Sequence, residues 1–295
     1  MKNYQTRDVE KRPAETTSGP DGDRVKTGVL VVGHGTAHSE GAQETRLVVS
    51  HVSRMLSSTP VALGFLEVID PTIADAMQQL LAQGCVRVVV APILLFSAGH
   101  ARRDLPEAVC KVADGHDIQV VQAHALGCHP DLLKLASQRR IEALSGRPPV
   151  NPAQTISVFL GRGSSAEDGV TQFQEWVRAG FGEERVTHPH FEIGFAAAAR
   201  PTLDEALEAA ARRSPKRVIV QPHILFRGFV ENQIRDAFCR CRTTFPEIDW
   251  VLVSRLGADY KVARAIVSRA NEAANAAFGS VNSVLPEKNL SPELI

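Results

Sequence analysis

Two histidines and a glutamate, His34, His100 and Glu67, follow short apolar runs in the first half of this chain. Neutral imidazole binds divalent cobalt, nickel, iron or zinc, and its ordinary pKa of roughly 6.5 lets it accept protons at neutral pH. Such a set can hold a metal ion, act as base, or do both in sequence. The spacing is not the His-x-x-x-His or Cys-x-x-Cys of a closed zinc site, so only a fold can bring the three groups together.

The elements that must do so occur twice. Gly33 recurs as Gly161, Pro71 as Pro201, Pro92 as Pro222, and Leu126-Gly127 as Leu256-Gly257. The blocks around these anchors agree in character: VLVVGHGT with ISVFLGRGSS, GFLEVIDPTIADAMQQL with GFAAAARPTLDEALEAA, and VRVVVAPILLF with KRVIVQPHILF. A repeat of this length sets the fold question before any single element does. Each half reads as four strand and helix pairs, with helices in the first half opening near Glu40, Pro71, Arg102 and Pro130. Short, continuously apolar strands alternating with amphipathic helices predict an α/β fold, a four-stranded parallel sheet per half covered on both faces. Pro71, Pro201 and Pro130 are expected in the first turns of helices, where the missing N–H costs nothing. Ligands of such folds bind beyond the carboxyl ends of the strands.

The two copies differ there. Strand one ends in Gly33-His34-Gly35-Thr36, strand two in Phe65-Leu66-Glu67, and strand three runs through Pro92 to Phe96 and on to Gly99-His100. The second copy holds Arg162 for His34, Ala197 for Glu67 and, with a one-residue gap, Phe229 for His100. One half is expected to be active and the other degenerate.

Composition bounds the partners. With 33 basic and 33 acidic residues, no overall field draws the chain to nucleic acid or an anionic membrane. No apolar run approaches the roughly 20 residues of a membrane span. Five cysteines without CxxC spacing fit reduced thiols in a cytoplasmic setting; Cys239 and Cys241 read as ordinary thiols, with a metal role the lesser alternative. Residues 1–26 are polar and expected to be disordered, with no signal-peptide core. Residues 147–154 form a proline-rich linker between domains at 27–146 and 155–278, and the stretch from Gly279 reads as loose.

These motifs resemble the sirohydrochlorin chelatases, class II chelatases that insert a divalent metal into a modified tetrapyrrole on the way to siroheme or cobalamin. The resemblance spans about residues 28–270. It rests on GHGT at 33–36, FLE followed by DP, PILLFSAGHARRDLP at 92–106, and the second-half GRGSS and PHILFRG. It implies two tandem chelatase-like (flavodoxin-like) domains, a pseudo-dimer within one monomer. It also implies that His34 and His100 handle metal and protons with Glu67 assisting, that Co2+ or Fe2+, or Ni2+, is a substrate, and that no organic cofactor or ATP is needed. The chain carries no histidine-rich tail, which leaves the metal open. Because the ligands must be deprotonated, activity is expected to fall as pH drops through the histidine pKa values.

A polycarboxylate ring calls for arginines, which can grip carboxylates bidentately. Arg102 and Arg103 are the first candidates and Arg162 the next, with solvated surface charge as the alternative for each. Gly33 and Gly99 at the strand ends are counted with these arginines as substrate-binding positions. Phe96, Phe226 and Phe229 either line the cleft or belong to the core. His129, in the LGCHP turn, reads as a contact at the start of a helix. Two other functions compete. GHGT as a phosphate-cradling turn would make a phosphoryl-transfer enzyme, although the Arg-His-Gly of histidine phosphatases is absent. A metal carrier or sensor would use His188, His190 and His223 as an extra site.

Overall fold

The computed structural model describes residues 25–96, 103–165, 167–181 and 191–279. The tails expected to be loose, apart from a few residues at their inner ends, lie outside this set, as do Gly99, His100, Arg102, His188 and His190.

The first half contributes β1 (Thr27–Gly33), α1 (Ser39–Met55), β2 (Val61–Phe65), α2 (Ile73–Ala82), β3 (Arg87–Pro92), α3 (Asp104–Ala113), β4 (Gln119–Gln122) and α4 (Pro130–Leu144). The second repeats the pattern with β5 (Thr155–Gly161), α5 (Glu167–Phe181), β6 (Phe191–Phe195), α6 (Leu203–Ala211), β7 (Arg217–Pro222), α7 (Phe229–Thr244), β8 (Asp249–Leu252) and α8 (Tyr260–Phe278). All pairings are parallel, in the orders β2-β1-β3-β4 and β6-β5-β7-β8. The duplication extends to register, with Gly33 opposite Phe65 and Gly161 opposite Phe195.

Because successive strand residues face opposite ways, each strand serves two cores. Leu30, Val32, Val88 and Val90 pack outward against Met77, Leu80 and Leu105 of α2 and α3. Val29, Val31 and Val89 face a central core shared with Val48 and Val52 of α1, Phe159 of β5, Trp176 of α5 and Ile266 and Ala270 of α8. The second sheet has its own outer core around Leu207, Phe238 and Trp250. The layers thus run α2 and α3, first sheet, a shared layer of α1, α4, α5 and α8, second sheet, α6 and α7.

Within the shared layer the last helix of each half crosses over. α8 packs on β3 and β4 of the first sheet and on α1. α4 lies toward β8, where the buried Arg140 donates to Ser157 of β5 at 2.7 Å and Gln221 of β7 donates to the Ala136 carbonyl at 3.4 Å. The exchanged helices bind each other through Arg139–Asp259 at 3.0 Å and Arg264–Asp131 at 3.2 Å. Amphipathic periodicity shows which face of a helix is buried, not which sheet receives it.

Two local expectations need correction. Pro71 and Pro201 are not in first turns; each precedes an N-cap threonine and ends a cis peptide bond. Their carbonyls accept the last strand N–H groups, Phe65 N at 2.8 Å and Phe195 N at 2.9 Å. The helices then start with capping boxes, Thr72 with Asp75 and Thr202 with Glu205, which satisfy two otherwise orphaned donors. β3 also stops at Pro92, whose nitrogen carries no hydrogen, and residues 93–96 continue as irregular chain. Pro130 is at the start of α4 as expected, and the His129 ring accepts the Asp131 N–H at 3.2 Å.

Candidate functional site

In a 2-1-3-4 order the chain leaves β1 toward β2 on one side and later returns to β3 on the other, so the crevice opens at the carboxyl end of β1. His34 is the first residue past that end. Glu67, two residues past β2, is fixed beside it: its N–H donates to the His34 carbonyl at 3.1 Å, and its own carbonyl accepts from Ile69 N at 2.9 Å. That second bond closes a tight turn through Val68 at φ 75°, a rare conformation for a β-branched residue. With both backbone groups occupied, the Glu67 side chain is held at the mouth and remains exposed.

Gly35 makes this approach possible. Its φ is +97°, and a Cβ there would stand 1.9 Å from the Glu67 carbonyl oxygen. The second half has the same turn: Gly163 has φ +84°, its Cβ would stand 1.9 Å from the Ala197 oxygen, and Ala197 N donates to the Arg162 carbonyl at 2.9 Å. The backbone device is duplicated; only the side chains on it differ. Gly33 is buried against Phe65 and Thr45, where a Cβ would come within 3.1 to 3.2 Å.

A hollow of about 670 Å³ lies between the β2–α2 loop and α3, with Glu67, Asp70, Asp104, Glu107 and Lys111 among its lining residues. Its carboxylates make this side of Glu67 suited to a cation more than to a polycarboxylate. Arg103 is exposed at the start of α3, and Arg162 is exposed at the end of β5. Phe96 is half-buried, its ring 6.2 Å from Phe173 and 5.1 Å from His223, so it bridges the two halves. Phe226 packs against the central core, whereas Phe229 is 69% exposed.

His223 is set among aromatic rings. It is 2% exposed and stacked 3.7 Å from Trp176 and 5.7 Å from Phe173, and neither ring nitrogen has a hydrogen-bond partner. Burial drives its pKa down to about 3. The first half carries Ile93 at the aligned position, so His223 fills an apolar slot. Among the described residues no group of three or more His, Cys, Asp or Glu is placed to hold a metal. Cys241 is buried, its thiol raised to about 11 by burial, and Cys239 is exposed; a deprotonated thiolate ligand is disfavoured at Cys241.

The His223 environment predicts acid sensitivity. Below about pH 6.5 the unfolded chain binds a proton there that the folded chain refuses until about pH 3, so stability falls as pH drops through that window. The slope is about 1.4 kcal/mol per pH unit. His223→Ile should therefore lose roughly 2–3 kcal/mol less than wild type between pH 6.5 and pH 4.5, read from urea midpoints. Equal losses in both proteins would mean that His223 is protonated in the native state.

Residues 28–143 and 157–273 each match the CbiX family model, and the chain belongs to that family. It is 26% identical over 246 residues to the sirohydrochlorin cobaltochelatase of Priestia megaterium, covering 83% of this chain and 79% of the relative. It is 27% identical over 230 residues to the sirohydrochlorin ferrochelatase of the same organism, covering 78% and 84%. The structure of SirB from Bacillus subtilis with Fe3+ superposes with a TM-score of 0.73 at 25% identity, covering 85% of this chain and 97% of that one. None of the helices described is long and apolar enough to cross a membrane.

Proposed function

We propose that the chain is a sirohydrochlorin chelatase, a lyase that inserts a divalent metal ion into the ring and releases two protons. The observation that carries this reading is the backbone-locked pairing of His34 with Glu67 at the crevice of a CbiX-family chain. Insertion requires that water be stripped from the ion, that the ring be held facing it, and that two pyrrole N–H protons find acceptors. Neutral imidazole at His34, joined by His100 from the segment after Phe96, presents the ion and then takes up the protons. Glu67 orients an imidazole or passes a proton to solvent. Arg103, Arg102 and Arg162 grip ring carboxylates, and Gly33, Gly99 and Phe96 shape the surface on which the ring rests. The ion is a substrate, and no ATP or organic cofactor takes part.

Near-equal identity to a cobalt and an iron enzyme of one organism favours neither metal, so Co2+, Fe2+ and Ni2+ all belong in the assay. Of the second-half histidines in the metal-carrier alternative, His223 is stacked among aromatic rings with no hydrogen-bond partner at either ring nitrogen, which supports the chelatase reading more than a carrier. Five free cysteines fit a reducing cytoplasm, and the shared central core fits a single chain acting as a monomer with domains near 27–146 and 155–278. Anaerobic absorption spectroscopy of sirohydrochlorin with each ion tests the reading: the protein should accelerate conversion of the free-ring spectrum to the metallated one. Rates no faster than those without protein, for all three ions, would overturn it.

A further inference from the structure

Resting on that reading, we infer that Arg255 of the catalytically degenerate half is a positioning residue, clamping the first turns of α1, and with them the His34 turn, against the second half. Arg255 Nε and Nη2 reach Glu44 Oε1 at 3.1 and 2.8 Å, Nη2 reaches Glu40 Oε1 at 2.8 Å, and Nη1 donates to both oxygens of Glu231 at 3.1 Å. One guanidinium thus joins two carboxylates of α1 to one of α7. The other oxygen of Glu44 accepts the backbone N–H of Arg227 at 2.7 Å, and the Arg227 side chain reaches Glu231 at 3.2 Å. Glu231 is buried; burial raises its pKa, but Arg235, Arg255 and Arg227 outweigh this and hold it below the usual carboxylate range.

The backbones meet as well. A Cβ at Gly41 would lie 2.2 Å from the Arg227 carbonyl oxygen, so α1 touches the β7–α7 loop through a residue with no side chain. Gly41 is seven residues from His34, and Thr36 lies between them with its hydroxyl accepting the His38 N–H at 3.2 Å. In sequence the first half carries neither this arginine nor this acid: Ala125 stands for Arg255, Ser97 for Arg227 and, with the gap that pairs His100 with Phe229, Arg102 for Glu231. Neither Arg255 nor Glu231 has a counterpart of its own kind in the first half. The half that lost its own chemistry retains a role in fixing the partner's imidazole relative to the opposite wall, and a misplacement of about 1 Å there can cost about 100-fold in rate.

The test compares Arg255→Gln, Arg255→Lys and Glu44→Gln with Arg147→Gln, which breaks the Arg147–Asp249 pair at 2.8 Å near the amino end of β8, far from the crevice. In Co2+ insertion, Arg255→Gln should lower kcat roughly 10- to 100-fold while KM for ion and ring changes little. Arg255→Lys should recover part of the loss, and Glu44→Gln, which keeps an acceptor for Arg227 N–H, should fall between. Arg147→Gln should leave kcat unchanged. Hydrogen exchange in residues 39–45 should quicken in Arg255→Gln while α8 stays protected. Unchanged kcat, a change confined to KM, or an equal loss in Arg147→Gln would each overturn the clamp. If Arg255→Gln does not fold, Glu44→Gln decides by the same criteria. Were wild type itself to show no insertion, the chelatase reading would fail, and unaltered exchange at 39–45 would separately reject the clamp.

Discussion

His34→Ala should abolish accelerated metal insertion, lowering the initial rate by roughly 10²- to 10⁴-fold, the range expected when a positioned proton acceptor is lost. The side chain is only half-buried, so the variant should unfold at nearly the wild-type urea midpoint. Glu67→Gln, isosteric and exposed, should cost less, about 10- to 100-fold, as befits a group that orients a ligand instead of being one. The two together should not multiply, because both act on one imidazole-centred step. Anaerobic initial rates with Co2+ and Fe2+ measure these values; a His34→Ala protein within threefold of wild type would remove this histidine from the chemistry.

The second large effect separates stability from function by using the duplication itself. Gly35→Ala and Gly163→Ala introduce the same Cβ at the same 1.9 Å approach to a carbonyl oxygen, at φ values of +97° and +84°. Each should destabilise by roughly 2–5 kcal/mol, combining left-handed backbone strain with a local clash. Only the first should also reduce kcat of the folded fraction, because relief of its clash pushes Glu67 away from His34, whereas the second parts Arg162 from Ala197 and should show itself in KM for the ring. Urea midpoints and kcat measured on both proteins decide it. Equal losses of kcat would show that the His34–Glu67 spacing has no special part in catalysis.

Much of the framework was legible because it was written twice. The glycines at 33 and 161 and the prolines at 92 and 222 mark strand ends in both copies, and the strand-end rule then pointed to His34 and Glu67, which the fold does bring together. The turn that joins them was less legible, since a backbone bond between residues 34 and 67 leaves no periodic trace. The role of His223 stayed open because a histidine in PHILF reads alike as ligand or as filler; Ile93 at the aligned position favoured the filler. Arg227, Glu231 and Arg235 do show helical four-residue spacing, but Arg255 meets Glu44 across 211 residues, and only tertiary structure reveals such a contact. The crossing of α4 and α8 was hidden for the same reason, since both carry an apolar face that would suit either sheet.

That crossing bears on why a half with Arg162 and Ala197 in place of His34 and Glu67 persists at all. With α8 covering the first sheet and α4 turned toward the second, neither half owns a complete set of helices, and a chain cut near residue 150 would yield two fragments, each lacking part of its cover. With the two halves interlocked in a single chain, the side chains at the second crevice can vary more freely than the fold that carries them. Selection on the first crevice would then act on residues of both copies.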